Sequence, residues 1–433
     1  MDLRRVSEGG KIPDTMRIES IEAHAVLVPL TTPTAFSTRQ IKGREYVIVR
    51  VVDEGGASGI GYTYAGDSGG LWLQAGIEQL LAPRLHGRSI FAIEESWDWI
   101  FRDLLLLGRR GALLRMLSAV EIALWDLVAR RAGLPLRHLL GGSRDTVAAY
   151  ASGGYYRPGD PCDNVAAELA RYCELGFTDF KLKFGGLPLR EDLERVATAR
   201  RALEPGSRLA LDVNNGWQTV EQAMRAIEAL RPFDIWWIEE PFPPDEIANH
   251  SRLAARSSIP IATGELEATR WGFAQLLDQR AADILQPDAC VAGGISEWRR
   301  ISALAAGHGI PVAPHWHANL HAQLAAATPN CITVEYFALG EGIYNFEQLV
   351  ANPLTVEAGR IRLDPSPGIG VELDWDVVRR HALTTTSAAA GQTDSNGQPT
   401  GEVNDGGSKA RHVAARLEAR STATHAATDP GKG

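Results

Sequence analysis

The sequence predicts an α/β protein: a (β/α) barrel preceded by an α+β domain. Three observations carry that prediction. From about residue 147, short strand candidates recur at intervals of roughly 20–30 residues with helical stretches between them. Before them lie a run of alternating strand patterns and then a helical zone. After them, 354–374 (LTVEAGRIRLDPSPGIGVELD) returns to β character and is expected to rejoin the N-terminal domain.

Residues 17–68 read as a β meander: RIESIEAHAVLVPL, EYVIVRVVDE, a Gly-Gly turn, then ASGIGYTYAG. Helical patterns follow to about residue 140. The clearest, LLRMLSAVEIALWDLVARRAG, stops at Gly133 with Pro135 just behind. The barrel strands are VAAYASGG, DFKLKF, RLALDV, IWWIEE, IPIATGE, ILQPD, IPVAPH and CITVEYF. A doubly wound open sheet is the alternative, but eight units in a row favour closure. Beyond about residue 384 the chain collapses into Ala, Thr, Ser and Gly, too poor in apolar surface to order itself, and is expected to be dispensable.

Composition narrows the function classes. The net charge of -9, with no Lys/Arg block, argues against a nucleic-acid partner. Met1–Thr15 has no apolar core, and no run approaches the roughly 18 apolar residues of a membrane helix. Four cysteines without CxxC spacing do not form a disulfide framework. A soluble cytoplasmic enzyme or binding protein is expected, with no membrane or nucleic-acid partner.

In a barrel of this kind the active site lies at the C-terminal ends of the strands. DFKLKF puts Lys181 and Lys183 on one strand face, costly for like charges unless they serve a purpose. The following strands end in Asp212 with Asn214, in Glu239 or Glu240, in Glu265, in Gln286 and Asp288, in His315 and His317, and in Glu335. One such carboxylate is unremarkable. Asp212, Glu239 and Glu265 are 27 and 26 residues apart, one βα unit each, and would repel without a cation. Oxygen-only ligands suit a hard ion such as Mg²⁺. HWHANLH offers His315, His317 and His321, and an HxH pair can signal a zinc hydrolase. That pair belongs on a first barrel strand, however, and here it follows the seventh.

KLK, the Asp-x-Asn of LDVNN, EEP, TGE, QPDA and PH, in this order on consecutive strands, resemble the enolase superfamily, specifically its mandelate racemase subgroup (the mandelate racemase/muconate lactonizing enzyme family). The resemblance covers about residues 17–380. It implies a modified (β/α)7β TIM-type barrel over 141–351 and an α+β capping domain over 17–140, completed by about 352–380. An arm over 1–16 and a low-complexity tail over 384–433 flank them. It further implies Mg²⁺ held by Asp212, Glu239 and Glu265 with Asn214 in support, and Glu240 behind the ligands or in a structural role. Lys183 would be one base, a His315–Asp288 pair the other, and Glu335 an electrophile donating a hydrogen bond to the substrate carboxylate. A homo-oligomer is also expected.

Proton removal beside a carboxylate builds an ene-diolate that a metal stabilises. Lysine is no base at neutral pH, with an unperturbed pKa of about 10.4. Lys181, a cation on the same face, is expected to keep Lys183 neutral. The loop over 31–43 is expected to close over the barrel mouth, and Arg39, Lys42, Tyr62 and Tyr64 suit a hydroxylated acid. Dehydration of a sugar acid (an aldonate or aldarate) to a 2-keto-3-deoxy acid is therefore expected. The alternatives are a racemase, epimerase or cycloisomerase of a hydroxy acid, and a non-catalytic sugar-acid binding protein.

Overall fold

The computed structural model describes residues 16–157 and 162–384, so the arm over 1–15 and the tail from 385 lie outside the described residues. Three long strands, β1 (Ile18–Phe36), β2 (Arg39–Asp53) and β3 (Ser58–Gly66), form an antiparallel sheet in the order β1-β2-β3. The expected loop over 31–43 is instead the tip of a hairpin. Both strands run on to a turn at Ser37 and Thr38, and Ala35 pairs with Tyr156 below it.

The Ala112–Ala132 helix lies across β3 at close range. Gly59 and Gly61, two apart and so on one strand face, make that approach possible. A Cβ on Gly61 would sit 2.0 Å from the Ala119 carbonyl oxygen, and one on Gly59 would sit 2.3 Å from that of Ala123. Backbone cannot yield as a flexible side chain can. Gly61→Ala is expected to cost on the order of 3 kcal/mol and to lower the melting temperature. Gly307→Ala, where nothing lies within 4 Å, should not. Equal melting temperatures for the two variants would contradict this packing.

The same helix ties this layer to the rest of the fold. Asp126 accepts from Ile60 N (2.8 Å), Ile369 N (2.7 Å) and Arg130 Nε (2.7 Å). Glu121 accepts from Ile295 N (2.7 Å) and Ser296 N (2.9 Å), satisfying free N–H groups at the start of the Ile295–Gly307 helix. Burial pushes the Glu121 carboxyl up to about 7 despite those bonds, and it does the same for Glu168 and Glu347. The folded state then holds protons that the unfolded chain releases near its lower pKa. Their stabilising contribution is complete below that pKa and is lost as pH rises through about 7. Glu121→Gln is expected to flatten the fall in melting temperature between about pH 4.5 and 7. An unchanged slope would mean that Glu121 is ionised throughout.

The second sheet is a barrel of parallel strands. β4 (Thr146–Gly153), β5 (Asp179–Lys183), β6 (Arg208–Asp212), β7 (Ile235–Glu239), β8 (Ile261–Thr263) and β9 (Ile284–Leu285) follow in order, and β10 (Val334–Tyr336) closes back on β4. The expected strand IPVAPH is reduced to a single bridging residue, Val312, which pairs with Leu285 on one side and Cys331 on the other. Pro311 and Pro314 flank it and cannot donate to a ladder. The 354–374 segment meets its expectation only in its second half. Its hairpin, β11 (Thr355–Glu357) and β12 (Arg360–Arg362), pairs with β4 of the barrel rather than with the N-terminal sheet. The stretch after it does reach the N-terminal domain: Ile369 N donates to Asp126, Arg130 pairs with Glu372, and further on Ala382 bridges Val26.

Inside the barrel Tyr150, Ala210, Trp237, Ala262, Ile284 and Ala313 form a buried apolar floor. Strand side chains repeat every two residues, so the next inward layer is Ser152, Asp212, Glu239, Gly264, Gln286 and His315. Every polar residue set above the floor lies at a strand end. Among the described residues no helix is long and apolar enough to cross a membrane.

Candidate active site

Register sets the first part of the site. Lys183 is paired with Asp212 and Asp212 with Glu239 across three adjacent strands, so the three stand at one level. Gly264, at φ 132°, breaks the alternation on the next strand. A Cβ there would press Phe273 at 2.8 Å, and it is the following residue, Glu265, that supplies a carboxylate. Oxygens of Asp212, Glu239 and Glu265 all lie within 4.8 Å of one another, and all three residues are buried.

Such crowding has an electrostatic signature. Glu265 is pushed well above the usual carboxylate range by burial and then by Glu240, Asp212 and Glu239. Glu240, which lines the same cavity, is pushed up to about 8 by burial and by Asp212 and Glu239. Buried Asn214 Oδ1 and Glu240 Oε1 have no hydrogen-bond partner. An all-oxygen donor set with excess negative charge and spare acceptors fits a hard divalent cation, which Asp212, Glu239 and Glu265 could hold.

The two lysines answer to those carboxylates. Lys181 contacts Glu239 Oε1 and lies 2.7 Å from Glu335 Oε1, and Lys183 Nζ lies 2.5 Å from Asp212 Oδ2. Burial acts most strongly and would lower the Lys183 pKa, but Asp212, Tyr155 and Glu335 together outweigh it and the net shift is upward. Lys181 does lower it, as expected from the sequence, by less than Asp212 raises it. The expected neutral lysine is therefore corrected for this arrangement: Asp212, with Tyr155 and Glu335, keeps it protonated.

Glu335 is a second correction. Burial would raise its pKa, but Lys181 and the neighbouring cations bring it down to about 2. It accepts from Trp316 N at 2.7 Å as well as from Lys181. An ionised acceptor engaged on both oxygens is the opposite of the hydrogen-bond donor expected, and Glu335 does not line the cavity.

His315 and Asp288 do come together. His315 Nδ1 lies 3.1 Å from Asp288 Oδ2, while Nε2 faces the carboxylates, 3.5 Å from Glu265 Oε1. Burial acts to raise the Asp288 pKa, yet the bond to His315 and two further imidazoles hold it below the usual carboxylate range. His317 is buried away from the cavity, beside Tyr344 Oη, with its pKa lowered by burial to about 3. His321 bridges the two loops of the pair. Its Nδ1–H donates to Trp316 O (2.9 Å) and its Nε2 accepts from Ala289 N (3.0 Å), so its partners fix a neutral tautomer.

The cavity above these groups has a volume of ≈ 110 Å³. Lys183, Asn214, Glu265 and His315 form its inner wall; Phe36, Arg39 and Arg44 reach in from the hairpin tip. Of the four side chains named for a polar mouth, Arg39 and Tyr64 line it. Tyr62 is buried behind it and Lys42 is exposed outside it. Sequence reasoning missed Tyr155, whose ring centroid is 4.7 Å from Lys183 Nζ. It also missed Ser37, whose hydroxyl donates to Val213 O beneath the hairpin tip. Tyr155 lies two residues past the end of the first barrel strand, which carries no charged residue to mark it.

Two family models match the chain: "Mandelate racemase / muconate lactonizing enzyme, N-terminal domain" over residues 20–141 and "Enolase C-terminal domain-like" over residues 164–377. The chain is 34% identical over 376 residues to L-talarate/galactarate dehydratase of Salmonella typhimurium, covering 85% of this chain and 92% of that protein. It is 33% identical over 367 residues to 3,6-anhydro-alpha-L-galactonate cycloisomerase of Streptomyces coelicolor, covering 84% and 99%. The crystal structure of L-talarate dehydratase from Polaromonas sp. JS666, complexed with Mg and L-glucarate, superposes with a TM-score of 0.76 at 31% identity, covering 85% of this chain and 98% of that one.

Proposed function

The chain belongs to the mandelate racemase/muconate lactonizing enzyme family of the enolase superfamily, and from that premise we propose that it is a Mg²⁺-dependent sugar-acid dehydratase. The observation that carries this reading is one carboxylate cluster set between two proton-transfer groups, Lys183 and the His315–Asp288 pair. Asp212, Glu239 and Glu265 would hold the metal, which when bound supplies Lewis-acid stabilisation to the substrate carboxylate as the α-proton leaves. Once the charge of Asp212 is committed to a cation, the cause that holds Lys183 protonated is offset, and Lys183 can take the α-proton. Protonated His315, oriented by Asp288, gives its proton to the departing β-hydroxyl, which leaves as water. The enol left behind tautomerises to the 2-keto-3-deoxy acid. Asn214 and Glu240, with their spare oxygens, accept from substrate hydroxyls.

The related cycloisomerase favours a second reading, in which the same two groups exchange protons without loss of hydroxyl. The test is a screen of the Mg²⁺-loaded protein against a library of sugar acids, scored for 2-keto products and for α-proton exchange in D₂O. A sugar acid that binds with neither exchange nor turnover would make the protein a binding module instead.

A further inference from the structure

We propose that the substrate is a sugar diacid whose second carboxylate is held by Arg44; this rests on the sugar-acid reading above. Arg44 stands on β2, where the β1–β2 hairpin overhangs the barrel mouth, and it lines the same cavity as Lys183, Glu265 and His315. Two contacts fix its guanidinium. Its Nε donates to Ile343 O at 3.1 Å, and its Cζ lies 4.3 Å over the Trp316 ring. No carboxylate among the described residues lies within ion-pair distance of it. The result is a half-buried, oriented cation with no counter-charge, although a guanidinium in that setting gains most from a planar anion.

Its position relative to the reacting groups defines what that anion is. Trp316 follows His315 in the chain, and the two rings stack with centroids 5.8 Å apart. Arg44 is thus one ring away from His315, on the side of the cavity opposite the barrel floor. An extended six-carbon diacid carries its carboxyl carbons roughly 6 Å apart, given carbon–carbon bonds of about 1.5 Å. One end can lie at the Asp212–Glu239–Glu265 cluster while the other meets the fork of Arg44. A monoacid of the same length offers a neutral CH₂OH there and leaves the guanidinium without a partner. Arg39, exposed at the rim of the same cavity, adds a second positive charge on the approach.

The experiment compares galactarate with galactonate, which share their hydroxyl configuration and differ only in the distal group. For the Mg²⁺-loaded wild type, kcat/KM is expected to favour the diacid by about 100-fold or more. Arg44→Gln keeps a donor for the Ile343 carbonyl but removes the charge, and should collapse that ratio towards unity; Arg44→Lys should keep part of it. An unchanged ratio in Arg44→Gln, or a wild type that prefers the monoacid, overturns the proposal. Calorimetric binding of galactarate to wild type and Arg44→Gln separates this inference from the reaction itself. Diacid binding that Arg44→Gln loses, without turnover in either protein, would sink the dehydratase reading and leave the subsite standing. Equal binding in both proteins, or none in wild type, overturns the subsite.

Discussion

Glu265→Gln is expected to weaken Mg²⁺ binding by at least about 100-fold, since loss of even an outer hydrogen-bond partner of a metal site commonly costs 10–100-fold. Turnover should fall with it. The direction of the stability change separates a ligand from a structural residue. Glu265 is buried among Asp212, Glu239 and Glu240, and burial first, then these neighbours, push its carboxyl up. In the metal-free protein glutamine supplies permanently the neutral group that the site favours, so the melting temperature in EDTA should hold or rise. Calorimetric titration with Mg²⁺, paired with melting curves in EDTA and in Mg²⁺, checks both halves. Wild-type Mg²⁺ affinity in Glu265→Gln would remove Glu265 from the metal site, and a large loss of metal-free stability would make it a packing residue.

The site was legible wherever chemistry follows strand period and register. Asp212 and Glu239 sit two residues beyond the floor residues Ala210 and Trp237, so a strand pattern read from sequence places both at the mouth. Lys181 and Lys183 obey the same rule, which is why two lysines in an apolar run were informative. What failed depended on contacts distant in sequence. Glu335 looked like a free strand-end acid, but its ionisation is set by Lys181, two strand positions short of the mouth and 154 residues earlier in the chain. Arg44 enters the cavity only because β1 and β2 continue as a hairpin over the barrel. Nothing local to IPVAPH says that two prolines leave it one bridging residue, although their missing donors make that outcome intelligible afterwards.

Lys183→Met and His315→Asn are each expected to lower formation of a 2-keto-3-deoxy acid by about 10³-fold or more, within the range for loss of a positioned acid or base. They should not fail alike. If Lys183 takes the α-proton and His315 expels the hydroxyl, His315→Asn leaves the base intact, and the α-proton should still exchange with D₂O. Lys183→Met should lose exchange and elimination together. The reverse pattern exchanges the roles of the two groups and keeps the reaction. Side chains of both residues reach the cavity, but Lys183→Met leaves buried Asp212 without its ion-pair partner, so melting temperatures measured beside the rates separate lost chemistry from lost stability. The wild-type product in D₂O, read by NMR, then decides between elimination and isomerisation. Elimination gives a keto acid with two hydroxyls fewer, one lost as water and the other turned into the ketone. Racemisation keeps every hydroxyl and inverts the α-carbon, as two bases on opposite sides of one carbon permit. An inverted product with all hydroxyls retained would replace the dehydratase by an isomerase, with Lys183 and His315 still the proton-transfer groups.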